Sequence, residues 1–270
     1  MQLLSRARLC AALLAATTAA LLGGCASEPK DEFVGRSAEK LYAEAKADAD
    51  AGSYERAIKA LERVEGLGAS TLLAQQSQLD LAYLYWKTNE KAQALSTIER
   101  FIKYNPSSPA FDYALYLRGV INFNDNLGLL GNVAGQDLAE RDQRASRDAY
   151  QAFKQLVEQF PASRYAADAR VRMDYIINTL ARYEVHVARY YFNRGAYLAA
   201  ANRAQQAVLE FQQSPAAEEA LAIMVGSYDK LQLVPLRDAA QRVLRTNFPN
   251  SPYLTGATAS AQAKPWWRFW

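Results

Sequence analysis

The feature that most constrains the fold is a recurring interruption. The stretches "VEGLGAS", "YNPSS", "EQFPAS", "EFQQS" and "TNFPNS" end at Ser70, Ser108, Ser163, Ser214 and Ser251, with successive gaps of 38, 55, 51 and 37 residues. Between them Ala, Leu, Gln, Glu and Arg dominate, and no alternating β-type segment occurs. A unit of 34 to 38 residues closed by short turns is the period of paired-helix solenoids. In such a fold no unit buries its apolar face alone, and stacking supplies the core.

The interior of each unit agrees. Ala45 precedes Gly52-Ser53-Tyr54, then Ala57 and Leu61; Leu81, Ala82 and Tyr85 precede Ala94, Ile98, Phe101 and Pro106. Gly119 precedes Ala149, Phe153, Leu156 and Pro161, and Ala188, Tyr191, Gly195 and Tyr197 precede Ala200 and Ala207. Small residues let two helices approach closely while Leu or aromatic neighbours fill the space beside them. Proline after the second helix stops it, because it has no amide hydrogen to donate. The tetratricopeptide repeat is the nearest pattern. The expected fold is all-α, a tetratricopeptide-repeat-like helical solenoid of about five helix pairs. The fifth unit, Ala216 to Phe248, is degenerate, with Arg237 where an alanine belongs.

Two gaps are too long and read as insertions. Between Gly119 and Ala149 the usual spacing of 12 becomes 30, so a loop over about 124–144 ("NDNLGLLGNVAGQDLAERDQR") separates the helices of the third unit. The second insertion gives an almost unbroken helical pattern from Tyr165 to Arg194. These boundaries predict repeats 1–3 over 37–163, repeats 4–5 over 164–251 and a tail over 252–270.

At the N-terminus, Arg6 and Arg8 precede the apolar run "LCAALLAATTAALL", 14 residues and too short to span a bilayer comfortably. The run ends in "LLGGC", which resembles a bacterial lipobox, cut before the cysteine that then carries lipid. Residues 1–24 are therefore expected to be a lipoprotein signal peptide and 25–36 a lipidated tether. Cys10 leaves with the signal, so Cys25 is a lone thiol in an oxidising compartment, unable to form an internal disulfide. An N-acyl and S-diacylglycerol group on Cys25 supplies the several chains that stable anchoring requires. Ala26 follows it, and by resemblance to lipoprotein sorting rules the expected location is the periplasmic face of the outer membrane.

Composition excludes several functions. The formal charge of +3 includes Arg6 and Arg8, leaving the mature chain near +1, with no electrostatic case for nucleic acid. The one histidine, His186, lies within a helical run and reads as an ordinary helix residue; with no Cys/His cluster, no metal site is expected. There is no phosphate-binding loop, nucleophile elbow or zincin motif, and the carboxylates are scattered along solvated helix faces. No catalytic residue and no cofactor beyond the covalent lipid is expected.

The lipobox, five repeats, the loop in the third and "YEVHVARYYFNRGAYLAAANR" together resemble the BamD (ComL) family of outer-membrane β-barrel assembly lipoproteins. "QLDLAYLYWK" and "RFIKYNPSSPAFDYALYLRG" also carry the resemblance, which covers the chain to about Leu244. The departures are the "KPWWRFW" terminus and the variable pair Val185-His186. The resemblance implies a non-catalytic scaffold. Its C-terminal repeats would dock the periplasmic domain of the barrel-forming subunit and accessory Bam lipoproteins. Its N-terminal repeats would help receive unfolded outer-membrane β-barrel proteins. Partner-binding candidates are Tyr183, Glu184, Tyr190, Tyr191, Arg194, Asn202 and Arg203. Substrate-binding candidates are Tyr42, Tyr83, Tyr85, Trp86, Tyr113 and Tyr116, rigid amphipathic groups of the kind enriched at interfaces, about half of them expected in the core instead.

Arg194 and Arg203 are expected to be unpaired and aimed at an acidic partner surface; the opposing reading is an internal ion pair, such as Arg194 with Glu184. Competing assignments are a pilotin-type or cell-wall-associated repeat lipoprotein, and a wall lyase, which would need a catalytic domain beyond the repeats. The tail reads as disordered, as packed on repeat five, or as touching a membrane interface.

Overall fold

The computed structural model describes residues 33, 35–67, 71–123 and 143–255. Among them are ten α-helices and no strand: α1 (Ala38–Asp50), α2 (Tyr54–Leu67), α3 (Leu72–Lys87), α4 (Lys91–Tyr104), α5 (Phe111–Asn122), α6 (Gln143–Gln159), α7 (Ala166–Asn193), α8 (Tyr197–Glu210), α9 (Ala216–Lys230) and α10 (Val234–Asn247). A short 3-10 turn, Pro252–Thr255, follows. The five expected pairs are α1/α2 through α9/α10. Each helix packs on the next, and first helices of neighbouring pairs also meet, α1 with α3, α3 with α5 and α7 with α9. The first helices therefore line the inner side of the solenoid.

Two kinds of turn repeat along the chain. Within four of the pairs, the first helix ends on a left-handed residue: Gly52, Asn89, Gly195 and Gln232, at φ of 80, 65, 75 and 59°. The next amide in each case reaches back five residues (Ser53 to Asp48 at 2.8 Å, Glu90 to Tyr85 at 2.7 Å, Ala196 to Tyr191 at 3.0 Å, Leu233 to Tyr228 at 2.9 Å), closing the helix end. Between pairs, the serines of the interruptions close the turn. Ser108, Ser163, Ser214 and Ser251 accept through Oγ from the amide two residues on, at 3.4, 3.2, 3.3 and 3.3 Å. Their carbonyls accept from the amide three on, at 3.0 to 3.1 Å. Ser70 lies outside the described residues; Thr71 beside it caps α3, accepting from the Ala74 amide at 3.1 Å. Ser251 opens one more such turn, so the first residues of the expected tail, 252–255, are ordered.

The core is a chain of clusters, one per junction. Leu41, Leu61 and Val64 centre the first, Ile98, Phe101 and Leu79 the next, and Phe153, Leu156 and Ile176 the third. In the fourth, Ala188, Ala200, Ala204, Ala207 and Ala220 are at most 1 % exposed beside Val185 and Ile223. Gly119 has a steric reason: a Cβ there would lie 2.7 Å from Phe153 Cζ and closer still to two other ring atoms, so the Phe153 ring of α6 lies directly against the α5 backbone. The expected loop over 124–144 is shortened at its end, because Gln143 and Arg144 already belong to α6; the rest lies outside the described residues. The signal, Cys25 and the "KPWWRFW" segment lie outside them too. The long helix forms as expected, 28 residues in α7. Arg237, in its alanine position, bonds Asp229 at 3.1 Å and Asp238 at 2.8 Å, as suits a terminal unit with a polar end.

Candidate partner-binding site

The seven expected partner-binding residues sit on the last third of α7, its C-terminal turn and α8. Glu184 is a correction. It is 3 % exposed, and its Oε2 accepts from Arg203 Nη1 at 3.0 Å, tying α7 to α8. A carboxylate stripped of water holds its place only with such a partner. Arg203 is therefore not unpaired, although its side chain remains 42 % exposed. Nor does Arg194 reach Glu184. It lies just past the end of α7, exposed, with its guanidinium carbon 5.2 Å from the Tyr190 ring centre. Tyr190 is 51 % exposed and edge-on to Tyr191 at 5.8 Å, while Tyr191 packs on the alanine cluster.

The surface left for a partner is Tyr190, Arg194 and exposed Asn202, with half-buried Tyr183 and the outer part of Arg203. Leu198 and Leu209, 61 % and 64 % exposed, were not anticipated. They stand four residues before and seven after Asn202, one helical stripe, and that spacing was the available signal.

The six aromatics divide between two faces. On the inner face, Tyr42 donates to Asp80 Oδ2 at 2.8 Å, with Lys46 Nζ 3.8 Å from the same oxygen. Tyr83 and Trp86 lie 5.8 Å apart, and Lys87 Nζ sits 5.8 and 5.7 Å from their ring centres. Tyr113 and Tyr116 flank Tyr165 at 5.3 and 4.8 Å, and Tyr116 donates to Asp168 Oδ2 at 2.8 Å. Tyr85 is the exception: it donates to Glu62 Oε1 at 2.6 Å on the opposite, outer side. There it lines a groove of about 560 Å³ with Glu62, Glu65, Gln93, Ser96 and Arg100. None of the six reaches core burial, which corrects the expectation that half would; Tyr42, Tyr85, Trp86, Tyr113 and Tyr116 are half-buried against the core clusters, and Tyr83 is exposed.

The electrostatics follow. Burial, then the Asp80 bond, pushes the Tyr42 phenol up; burial, then Glu62, does the same for Tyr85. Burial, then the neighbouring Tyr165 and Asp80, pushes Tyr113 up to about 12. For Asp168 burial acts upward, but the Arg172 and Tyr116 hydrogen bonds outweigh it and hold the carboxyl below its ordinary value. These groups are fixed hydrogen-bonding partners rather than proton carriers near neutral pH.

Among the described residues no group of three or more His, Cys, Asp or Glu could hold a metal ion, and no helix is long and apolar enough to cross a membrane. His186 is an exposed residue of α7.

The outer membrane lipoprotein family model matches residues 35–243. An outer membrane protein assembly factor BamD of Neisseria meningitidis serogroup A is 46 % identical over 263 residues, spanning 96 % of this chain and 98 % of that protein. A BamD of Vibrio cholerae is 33 % identical over 227 residues, 84 % of this chain and 94 % of its own. Among solved structures, MamA matches with 15 % identity and a TM-score of 0.38, covering 78 % of this chain and 90 % of its own.

Proposed function

The chain belongs to the BamD family of outer membrane protein assembly factors, and from that premise we propose that it is the family's non-catalytic scaffold on the periplasmic face of the outer membrane. The signal over 1–24 is removed and Cys25 carries the lipid anchor. Repeats 4–5 dock the periplasmic domain of the barrel-forming subunit and the accessory lipoproteins. The tyrosine-lined inner face of repeats 1–3 receives extended segments of unfolded barrel proteins, whose aromatic side chains it matches.

The observation that carries this reading is the Glu184–Arg203 bond at 3.0 Å. It locks α7 to α8 and so presents Tyr190, Arg194 and Asn202 from a rigid base. Preorganised groups lose less conformational entropy on docking, and Arg194, braced by Tyr190, offers a planar fork to a carboxylate. Arg203 braces that surface and contacts the partner only with its exposed part.

The test is Arg194→Glu in the full chain, titrated against the purified periplasmic domain of the barrel-forming subunit. Affinity should fall by about 2 kcal/mol or more with helicity and melting unchanged. Unchanged affinity would sink the interface reading. Arg203→Glu is the structural counterpart: it sets two carboxylates together and should lower the melting temperature. Cys25→Ser should release the folded chain from washed membranes lacking its protein partners; retention there would rule out the lipid anchor.

A further inference from the structure

The outer groove between the last two second helices repeats the register of the first such groove with opposite chemistry. Take the left-handed turn residues as origins. The positions four and eleven further on are Arg56 and Arg63 in α2, Gln93 and Arg100 in α4, Ala199 and Gln206 in α8, and Leu236 and Val243 in α10. In α4 these positions, with Ser96 and Thr97 between them, face Glu62, Glu65, Leu81 and Tyr85 across the 560 Å³ groove. Arg100 reaches Glu65 at 2.8 Å there.

The same register in the last groove sets Leu236, Ala239, Ala240 and Val243 against Gln205 and Val208 of α8 and Met224 and Tyr228 of α9. Ala240, Tyr228 and Met224 do pack together. Glu62, Glu65 and Arg100 are thus replaced by Gln205, Val208 and Val243, yet Leu236 and Val243 remain 48 % and 42 % exposed. The end of the solenoid does not explain this. The positions that face a following pair, six and thirteen from the origin, are Leu95 and Ile102 in α4 and Ala201 and Val208 in α8. In α10 they are Asp238 and Arg245, so the end is already capped with polar groups.

Two apolar side chains seven residues apart on a helix repeat after two turns, roughly 10.5 Å, the spacing at which a second helix sets its own apolar stripe. Arg242, one residue before Val243 on the outer side of the same helix, is exposed and has no ion pair among the described residues. We propose that this groove binds an amphipathic helix of a partner protein, with apolar residues at heptad spacing and acidic flanks. The chain's own "KPWWRFW" has the wrong charge for that rim, since Lys264 and Arg268 would face Arg242. A bilayer has the wrong shape, because a groove between helices receives a rod better than a plane. The proposal takes from the assembly reading only that a protein partner exists; it does not use the Tyr190–Arg194 surface.

The test uses the full chain and a fluorescent synthetic helix with Leu at heptad a and d positions and Glu flanks. It should bind, and the same helix with Lys flanks should bind at least about tenfold more weakly. Leu236→Ser with Val243→Ser should also weaken binding about tenfold or more, with the melting temperature kept. Tyr190→Ala with Arg194→Glu should leave it unchanged, which separates failure here from failure of the docking reading above. A photo-crosslinking amino acid at Leu236 in cells should capture an acidic helical segment, identified by sequencing the adduct. Equal affinity for both helices, indifference to the double serine variant, or capture of residues 256–270, of lipid or of nothing would overturn the proposal.

Discussion

Leu61, Ile98 and Phe153 fill one register position in the second helices of the first three pairs, and Val64, Phe101 and Leu156 fill another; in the fourth pair the same positions hold Ala204 and Ala207. The N-terminal half is held by large side chains that bury apolar area. Its inner surface carries tyrosines bonded to Asp80 and Asp168. The C-terminal half is held by close approach. Alanine lets the α7, α8 and α9 backbones come together, and its surface carries arginines. The difference teaches that one repeat scaffold can be stabilised by volume in one half and by contact distance in the other, and the two halves should fail in opposite ways when mutated.

The largest effect should come from removing volume in the N-terminal half. Phe153→Ala or Phe101→Ala should cost about 3–5 kcal/mol in urea unfolding, because each ring is fully buried. The reverse operation tests the other half: Ala204→Leu should cost about 1–3 kcal/mol by overpacking. If Ala204→Leu proved neutral, close approach would not be what holds α7, α8 and α9.

Alkali should act mainly on the N-terminal half. Burial favours the neutral phenols of Tyr42, Tyr85, Tyr113 and Tyr116 in the fold, with Tyr113 at about 12. A raised value contributes stability that is whole below the ordinary tyrosine range near pH 10. That stability is lost as pH rises through the folded value, so the chain should weaken between about pH 10 and 12. Trp86 fluorescence, in a variant with the three tail tryptophans changed to Phe, should report loosening before the far-ultraviolet signal of the whole chain. Simultaneous loss would show the two halves to be equally sensitive.

The smallest effect concerns a turn. Gln232 holds φ of 59° at a place where Gly52 and Gly195 stand in other pairs. Gln232→Gly should stabilise by about 0.5–1 kcal/mol, since glycine meets no Cβ penalty in that region. A loss of stability would mean that the glutamine side chain, whose Nε2 donates to the Asp229 carbonyl at 3.1 Å, outweighs the strain.

The helix pairs and the long α7 were legible because the period, the alanine positions and the interruptions all record backbone geometry that recurs. Asn89 and Gln232 were not, because a left-handed turn leaves a clear mark only where glycine fills it. The wiring of the candidate site was misread. Glu184 and Arg203 are 19 residues apart, and only the crossing of α7 and α8 shows that they meet. Tyr85 was grouped with Tyr83 from composition, although two residues along a helix turn a side chain to another face. Leu236 and Val243 were hidden because each looks ordinary until set beside Arg56, Arg63, Gln93 and Arg100.

Helix α7 runs 28 residues with neither glycine nor proline between Ala166 and Asn193, about 42 Å of unbroken rod. Its first turns carry Asp168, which accepts from both Tyr116 and Arg172, and its last third carries Glu184 and Tyr190. Mechanically it is a beam clamped at both ends. A load applied at Tyr190 would meet no glycine or proline hinge along the way and would arrive at the tyrosine stack as torque on α5. The two halves of the scaffold are geared together.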